Sequence, residues 1–91
     1  MKRSPRPTSR GEKGQPHTVL AERALWSCAL HTEMWRSDPD SRWRQSALWD
    51  AEQAVQFIGL ADGPRSVRTR ARRLEQRLFR LQVAQAKLYK V

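Results

Sequence analysis

A seam of mostly apolar residues runs through the C-terminal third of the chain and constrains the fold more than any other feature. Its members are separated by alternating intervals of four and three residues, and they are Val67, Ala71, Leu74, Leu78, Leu81, Gln85 and Leu88. Intervals that average about 3.5 residues keep these positions on one side of an α-helix. We therefore predict a long third helix over about residues 65–89, with this leucine seam packed on the rest of the chain.

Two shorter helices are predicted before it. Residues 18–36 contain no glycine or proline and are rich in alanine and leucine, so they favour a helix with Thr18 as its N-cap. The segment Ser37–Asp40 then predicts a break, with Ser37 capping a second helix that runs from about residue 39 to 60. A turn this short predicts an antiparallel hairpin, and the fold class is all-α, a three-helix bundle.

The apolar faces of the first two helices differ in number. The second helix has a single face, made of Trp43, Ala47, Ala51, Ala54, Ile58 and Ala61 and widened by Leu48 and Val55. The first helix has one face made of Leu20, Ala21, Ala24, Leu25, Cys28 and Trp35, and a second strip nearly opposite, made of Val19, Trp26, Leu30 and Met34. In the hairpin we expect Trp35 to face Trp43. The second strip has no partner within a simple hairpin.

Charge divides the chain into three parts. The net charge is +9, with five Lys/Arg and one acid in residues 1–17, four and seven in residues 18–63, and nine and one in residues 64–91. Residues 1–17 lack strongly apolar side chains and are predicted to form a flexible basic tail, which leaves residues 18–91 as a single small domain. The single cysteine and the absence of a long apolar run predict a cytoplasmic, reducing location without membrane insertion.

Basic residues of the third helix lie in two stripes beside the leucine seam and predict binding to a polyanion. One stripe contains Arg70, Arg73, Arg77, Arg80 and Lys87, and the other contains Arg65, Arg68 and Arg72. Arginine pairs phosphate oxygens bidentately and can read guanine, so we predict nucleic-acid binding, with DNA favoured over RNA. The tail adds unspecific affinity through Lys2, Arg3, Arg6, Arg10 and Lys13.

Residues 51–78 also resemble the helix-turn-helix region of bacterial regulators. The resemblance depends on Ala54-Val55 in one helix, Gly59 near the turn and Ser66-Val-Arg at the start of the next helix. It implies a small regulator that binds DNA through the third helix. The chain departs from that pattern in a longer turn, residues 61–64, and in a third helix longer than a typical recognition helix.

Three other interpretations remain open. The arginines can pair with acids of the first two helices, namely Glu22, Glu33, Asp50 and Glu52, although the bases outnumber those acids. The chain can be an adaptor or inhibitor that docks on an acidic and apolar protein surface through Trp26, Leu30, Met34 and Trp49 together with the third-helix arginines. The third helices of two copies can also pair in parallel as a homodimer, with Arg70 facing Glu75. Binding to an anionic membrane is disfavoured because folding uses the leucine seam.

Catalytic and metal-binding chemistry is not predicted. Cys28 and His31 are the one pair at a helical ligand spacing, and two ligands do not make a zinc site. The sequence contains no glycine-rich phosphate loop, and its nine carboxylates show no pairing suited to acid–base chemistry. We therefore expect no enzyme activity, no cofactor and no metal.

Overall fold

The computed structural model of the protein describes residues 15–39 and 42–89. Three α-helices make up this part: α1 (Gln15–Ser37), α2 (Trp43–Leu60) and α3 (Arg65–Tyr89). All three pack against one another, which confirms the predicted all-α, three-helix bundle. Residues 1–14 of the predicted flexible tail lie outside the described residues. The last three residues of that tail, 15–17, belong to α1. No helix within the described ranges has the length and apolarity needed to cross a membrane.

Helix α1 begins three residues earlier than predicted. Pro16 lies in its first turn, where the missing N–H is not needed and the fixed backbone angle suits a helix. Thr18 is therefore inside the helix and fully buried, so its predicted role as the N-cap is wrong. A proline near a helix start explains why the helix continues upstream of the threonine.

The second helix begins later than predicted, at Trp43 instead of Pro39. Ser37 is the last residue of α1, and its Oγ donates a 3.2 Å hydrogen bond back to the carbonyl oxygen of Glu33. The N-cap position of α2 is Arg42, which makes no side-chain capping bond. The predicted Ser37 cap is therefore wrong, because the serine hydroxyl satisfies the helix that ends there.

The hairpin of α1 and α2 is antiparallel, as predicted. Cys28 Sγ lies 3.5 Å from the carbonyl oxygen of Ala47, and one turn further along α1 the ring of His31 stacks on Trp43 with centroids 5.4 Å apart. Trp35 meets Tyr89 edge-on, with ring centroids 5.4 Å apart. The end of α3 fills the space beside Trp35.

Helix α3 runs parallel to α1 and antiparallel to α2. Near its start Arg70 contacts Glu22, and near its end Tyr89 contacts Trp35. The connection from α2 covers residues 61–64, where Gly63 adopts φ 152°, a backbone angle that favours glycine. This turn reverses the chain, so that the seam of α3 lies over the hairpin.

The core lies where the leucine seam meets the hairpin. Its buried members are Ala21, Leu25, Cys28, Ala51, Ala54, Leu74 and Leu78. The alanines let the helices approach closely, and each fully buried leucine contributes about 1.5–3 kcal/mol through removal of apolar surface from water. The predicted seam is confirmed as a packing surface within one chain. Two residues assigned to the inner faces are exposed instead, Leu20 by 37% and Val55 by 48%.

Candidate nucleic-acid interface

The outward face of α3 holds the exposed basic residues. They lie opposite the buried positions Val67, Leu74 and Gln85. We call this set the arginine face, and it consists of Arg65, Arg68, Arg72, Arg73, Arg80 and Lys87. From Arg65 to Arg80 the helix rises about 23 Å at 1.5 Å per residue. The face is therefore long enough to follow several phosphates of a nucleic-acid backbone.

Two predicted binding residues lie closer to α1 than the others. Arg70 Nη2 is 2.9 Å from Glu22 Oε1, and both side chains are about 40% exposed. Arg77 is half-buried and borders a groove along α1 beside Trp26 and Leu30. The predicted stripe of Arg70, Arg73, Arg77 and Arg80 is thus divided, since two of its members point to the neighbouring helix.

The first turns of α3 combine arginines with the positive end of the helix. The first turn of α3 contains no acidic residue and begins with Arg65. A cation at a helix N-terminus opposes the helix dipole, at a cost of about 0.3–1 kcal/mol. Arg65, Arg68, Thr69 and Arg72 border a concavity of about 330 Å³. Guanidinium groups, a hydroxyl and the helix end can all favour an anion at this place.

Internal acids neutralise little of this charge. Within residues 15–39 and 42–89, Arg70 is the one base of α3 that forms an ion pair. Of the four acids predicted as partners, Glu22 takes that role and Glu33 pairs instead with Arg36 of its own helix at 3.0 Å. Asp50 is buried against His31, so its predicted role as a partner of the arginines is wrong.

Phe79 is an aromatic residue on the arginine face that the sequence interpretation missed. Its side chain is 66% exposed, and it follows Arg72 by seven residues on the same side of α3. An aromatic ring between cations provides a surface on which an unpaired base can stack. Its position outside the leucine seam was the signal that could have identified it.

A polar cluster between α1 and α2 was also missed. Asp50 Oδ2 lies 2.7 Å from His31 Nδ1 and accepts a 2.8 Å hydrogen bond from Ser27 Oγ. An ionised carboxylate only accepts hydrogen bonds, so Nδ1 of His31 carries the hydrogen. Ser27 contacts the same ring nitrogen at 3.4 Å, whereas a nucleophilic serine must contact the opposite one. The cluster therefore joins the helices and lacks the geometry of a catalytic triad.

Gln85 interrupts the leucine seam, and its buried amide donates hydrogen bonds to acceptors on α1 and α2. Its Nε2 donates to Thr32 Oγ1 at 3.1 Å and to the carbonyl oxygen of Ala47 at 3.2 Å, and it lies 3.3 Å from Cys28 Sγ. Burial raises the pKa of the Cys28 thiol above its ordinary value of 9.0. The described residues contain no group of three His, Cys, Asp or Glu side chains that could hold a metal ion.

The proposed protein-docking residues border two concavities. Trp26 is 72% exposed and Leu30 52% exposed, and both line the groove along α1. Trp49 is 60% exposed and borders a different concavity beside His31, which shares no lining residue with the first. Met34 is half-buried. Ser27 lines the first groove and donates a 2.8 Å hydrogen bond to Asp50, which lines the second concavity, so the two adjoin.

Comparison with known proteins gives no family assignment: no protein-family profile, curated protein sequence or solved structure matches the chain. Functional interpretation therefore depends on the surfaces described above.

Proposed function

We propose that the protein binds nucleic acid, with DNA favoured, through the arginine face of α3, and that the basic residues 1–17 add unspecific affinity. The observation that carries this proposal is the unneutralised charge of α3. Among the described residues, the arginines of the arginine face have no ion-pair partner. Exposed ion pairs contribute only about 0–1 kcal/mol in any case, so the fold does not need these side chains for stability.

The position of the charge supports the same proposal. Arg65 and Arg68 lie at the end of α3 where a cation is unfavourable, and a bound phosphate would reverse that penalty. Arg72 and Thr69 border the same concavity, so one phosphate there has several donors within about two turns of helix. Base contacts, which specify sequence, are separate from these phosphate contacts.

Fluorescence anisotropy of a labelled 20-base-pair duplex at 50–300 mM NaCl tests the proposal. Binding through about five phosphate contacts predicts a slope of log K against log[salt] of roughly −4 to −5. The double variant Arg68→Ala, Arg72→Ala should weaken binding and reduce the magnitude of the slope by about 2. Single-stranded DNA and an RNA hairpin of equal length, titrated in parallel, rank the nucleic-acid classes.

A matched control removes the same charge elsewhere. Arg36 and Arg42 are exposed and lie at the turn between α1 and α2, at the other end of the bundle from Arg68 and Arg72. Their double alanine variant should keep most of the affinity and most of the salt slope. Equal losses in both double variants would refute a role for the arginine face and reduce the interaction to net charge.

The adaptor hypothesis remains the second candidate function, and the exposure of Trp26 and Trp49 supports it. On that hypothesis, the arginines face an acidic patch of a partner protein. The titration above separates the two functions: a folded protein that fails to bind any of the three nucleic acids at 50 mM NaCl contradicts the first proposal and favours the second.

A further inference from the structure

The outward face of α1 carries a second seam with heptad spacing. Its positions follow intervals of four and three residues, and all six are exposed: Val19, Arg23, Trp26, Leu30, Glu33 and Ser37. We call it the outer seam. It lies opposite the core positions of α1, such as Leu25 and Cys28, and points away from the core, with Arg77 of α3 at its border.

An antiparallel copy of α1 is complementary to this seam. In antiparallel pairing of heptads, each a position faces a d position of the other helix. The central layers then place Trp26 of one copy against Leu30 of the other, and the same contact recurs across the two-fold axis. The next layers place Arg23 of one copy against Glu33 of the other, twice. The outermost layers pair Val19 with Ser37.

Parallel pairing lacks this complementarity. It would place Arg23 against Arg23 and Glu33 against Glu33, and like charges face to face are destabilising. The antiparallel arrangement alone gives opposite charges on both sides of a central apolar patch. The order charge, apolar, apolar, charge therefore specifies both the partner and its direction.

We propose that the outer seam is the interface of an antiparallel homodimer. The charge of α1 itself does not oppose this pairing, since residues 18–37 carry two acids and two bases, and Arg77 of α3 adds one cation at the border of the seam. Glu33 is held in the monomer by Arg36 at 3.0 Å, but both side chains are more than half exposed. Such an exposed ion pair contributes little to stability. Glu33 can therefore exchange Arg36 for Arg23 of the second copy at little cost in free energy.

The size of the seam sets the expected strength. The apolar centre of the interface consists of Trp26 and Leu30 from each copy. These four side chains bury less surface than the ~1,200–2,000 Å² of a standard interface. We therefore expect a dimer that forms at micromolar concentrations and dissociates on dilution. This inference is independent of the proposed nucleic-acid binding, because the arginine face belongs to a different helix.

Analytical ultracentrifugation of the full chain tests the proposal. The sample is treated with nuclease and kept in 150 mM NaCl, so that bound nucleic acid cannot bridge two copies. Between about 5 and 500 µM the weight-average mass should rise from 10.6 kDa towards twice that value. Trp26→Ala should abolish the rise, whereas Trp49→Ala, which removes another exposed tryptophan outside the seam, should leave it unchanged.

Charge reversal tests the direction of pairing. Arg23→Glu and Glu33→Arg should each weaken the dimer by about tenfold or more, because each places like charges together in two layers. The double variant Arg23→Glu, Glu33→Arg should restore most of the association. Far-ultraviolet circular dichroism verifies that each variant keeps its helicity, as expected for residues exposed in the monomer.

Three outcomes overturn the proposal. The first is a mass that stays at 10.6 kDa over the whole concentration range, including the case in which the protein instead captures a different protein through Trp26. The second is a double charge reversal that remains as weak as the single variants. The third is an equal loss of association in Trp49→Ala, which would place the interface elsewhere.

Discussion

Replacement of Asp50 by alanine removes the carboxylate that joins α1 to α2. Asp50 is 7% exposed and accepts hydrogen bonds from Ser27 at 2.8 Å and His31 at 2.7 Å. Hydrogen bonds to a charged group contribute about 1.5–3 kcal/mol each. Water can replace part of this at His31, whose side chain is 23% exposed. We expect the free energy of unfolding to fall by about 2–4 kcal/mol.

Such a loss is large for a domain of this size, which is typically stabilised by about 4–10 kcal/mol. In urea, with a slope near 1 kcal/mol per molar, the unfolding midpoint should fall by about 2–4 M. Circular dichroism at 222 nm follows the transition. The slope itself should not change, because the variant exposes no additional surface when it unfolds.

Two further variants test whether the burial of the Asp50 carboxylate is the reason for the expected loss of stability. Glu52→Ala removes an exposed carboxylate two residues along the same helix and should change the free energy of unfolding by less than about 0.5 kcal/mol. Asp50→Asn keeps one acceptor oxygen and should lie between the wild type and Asp50→Ala. If Asp50→Ala is no less stable than Glu52→Ala, the polar cluster does not hold the hairpin together.

Two more predictions concern the polar group around Gln85. Burial raises the pKa of the Cys28 thiol, so disulfide reagents at pH 8 should react slowly with the native protein and rapidly in urea. Because the pKa of Cys28 is higher in the folded than in the unfolded chain, the stability linked to the neutral thiol is fully present below about pH 9 and should decrease as the pH rises further. Urea midpoints measured at pH 8 and pH 10 check this direction. Gln85→Leu removes the hydrogen bonds that the buried amide donates to the hydroxyl of Thr32 and the carbonyl of Ala47, and should cost about 1–3 kcal/mol. Gln82→Leu, at an exposed position of the same helix, is the matched control, and equal urea midpoints for the two variants would contradict the role of the buried amide.

Heptad spacing was the reliable part of the sequence because it depends on the helix alone. The seam from Val67 to Leu88 and the two opposite strips of α1 could both be predicted; most of the first strip is buried except Leu20, and Trp26 and Leu30 of the second are exposed. The ends of the helices depend on local competition between hydrogen bonds. Ser37 bonds to the turn before it rather than to the helix after it, and composition does not decide between these alternatives.

Tertiary pairing was beyond the sequence. The sequence offered Asp50 as a partner of the arginines, yet its two hydrogen-bond donors come from α1, 19 and 23 residues away. The same holds for the arginines. A helical wheel gives the angle of Arg70 and Arg77 on α3, but it does not tell where α1 lies. The neighbouring helix divides a stripe that looks continuous in sequence.

The arginine face and the apolar centre of the outer seam lie on different helices. The arginine face belongs to α3, and Trp26 and Leu30 belong to the outer seam of α1, which is locally neutral. A need for solubility does not explain the arginines of α3, because acidic residues increase the solubility of a protein more than basic ones do. The N-terminus of a helix is also an unfavourable place for a cation. A dimer through α1 leaves Arg72 and Arg80 of both copies uncovered. Two such faces on one particle bind a polyanion with the advantage of multivalency, so association through α1 would strengthen the interaction that we propose for α3.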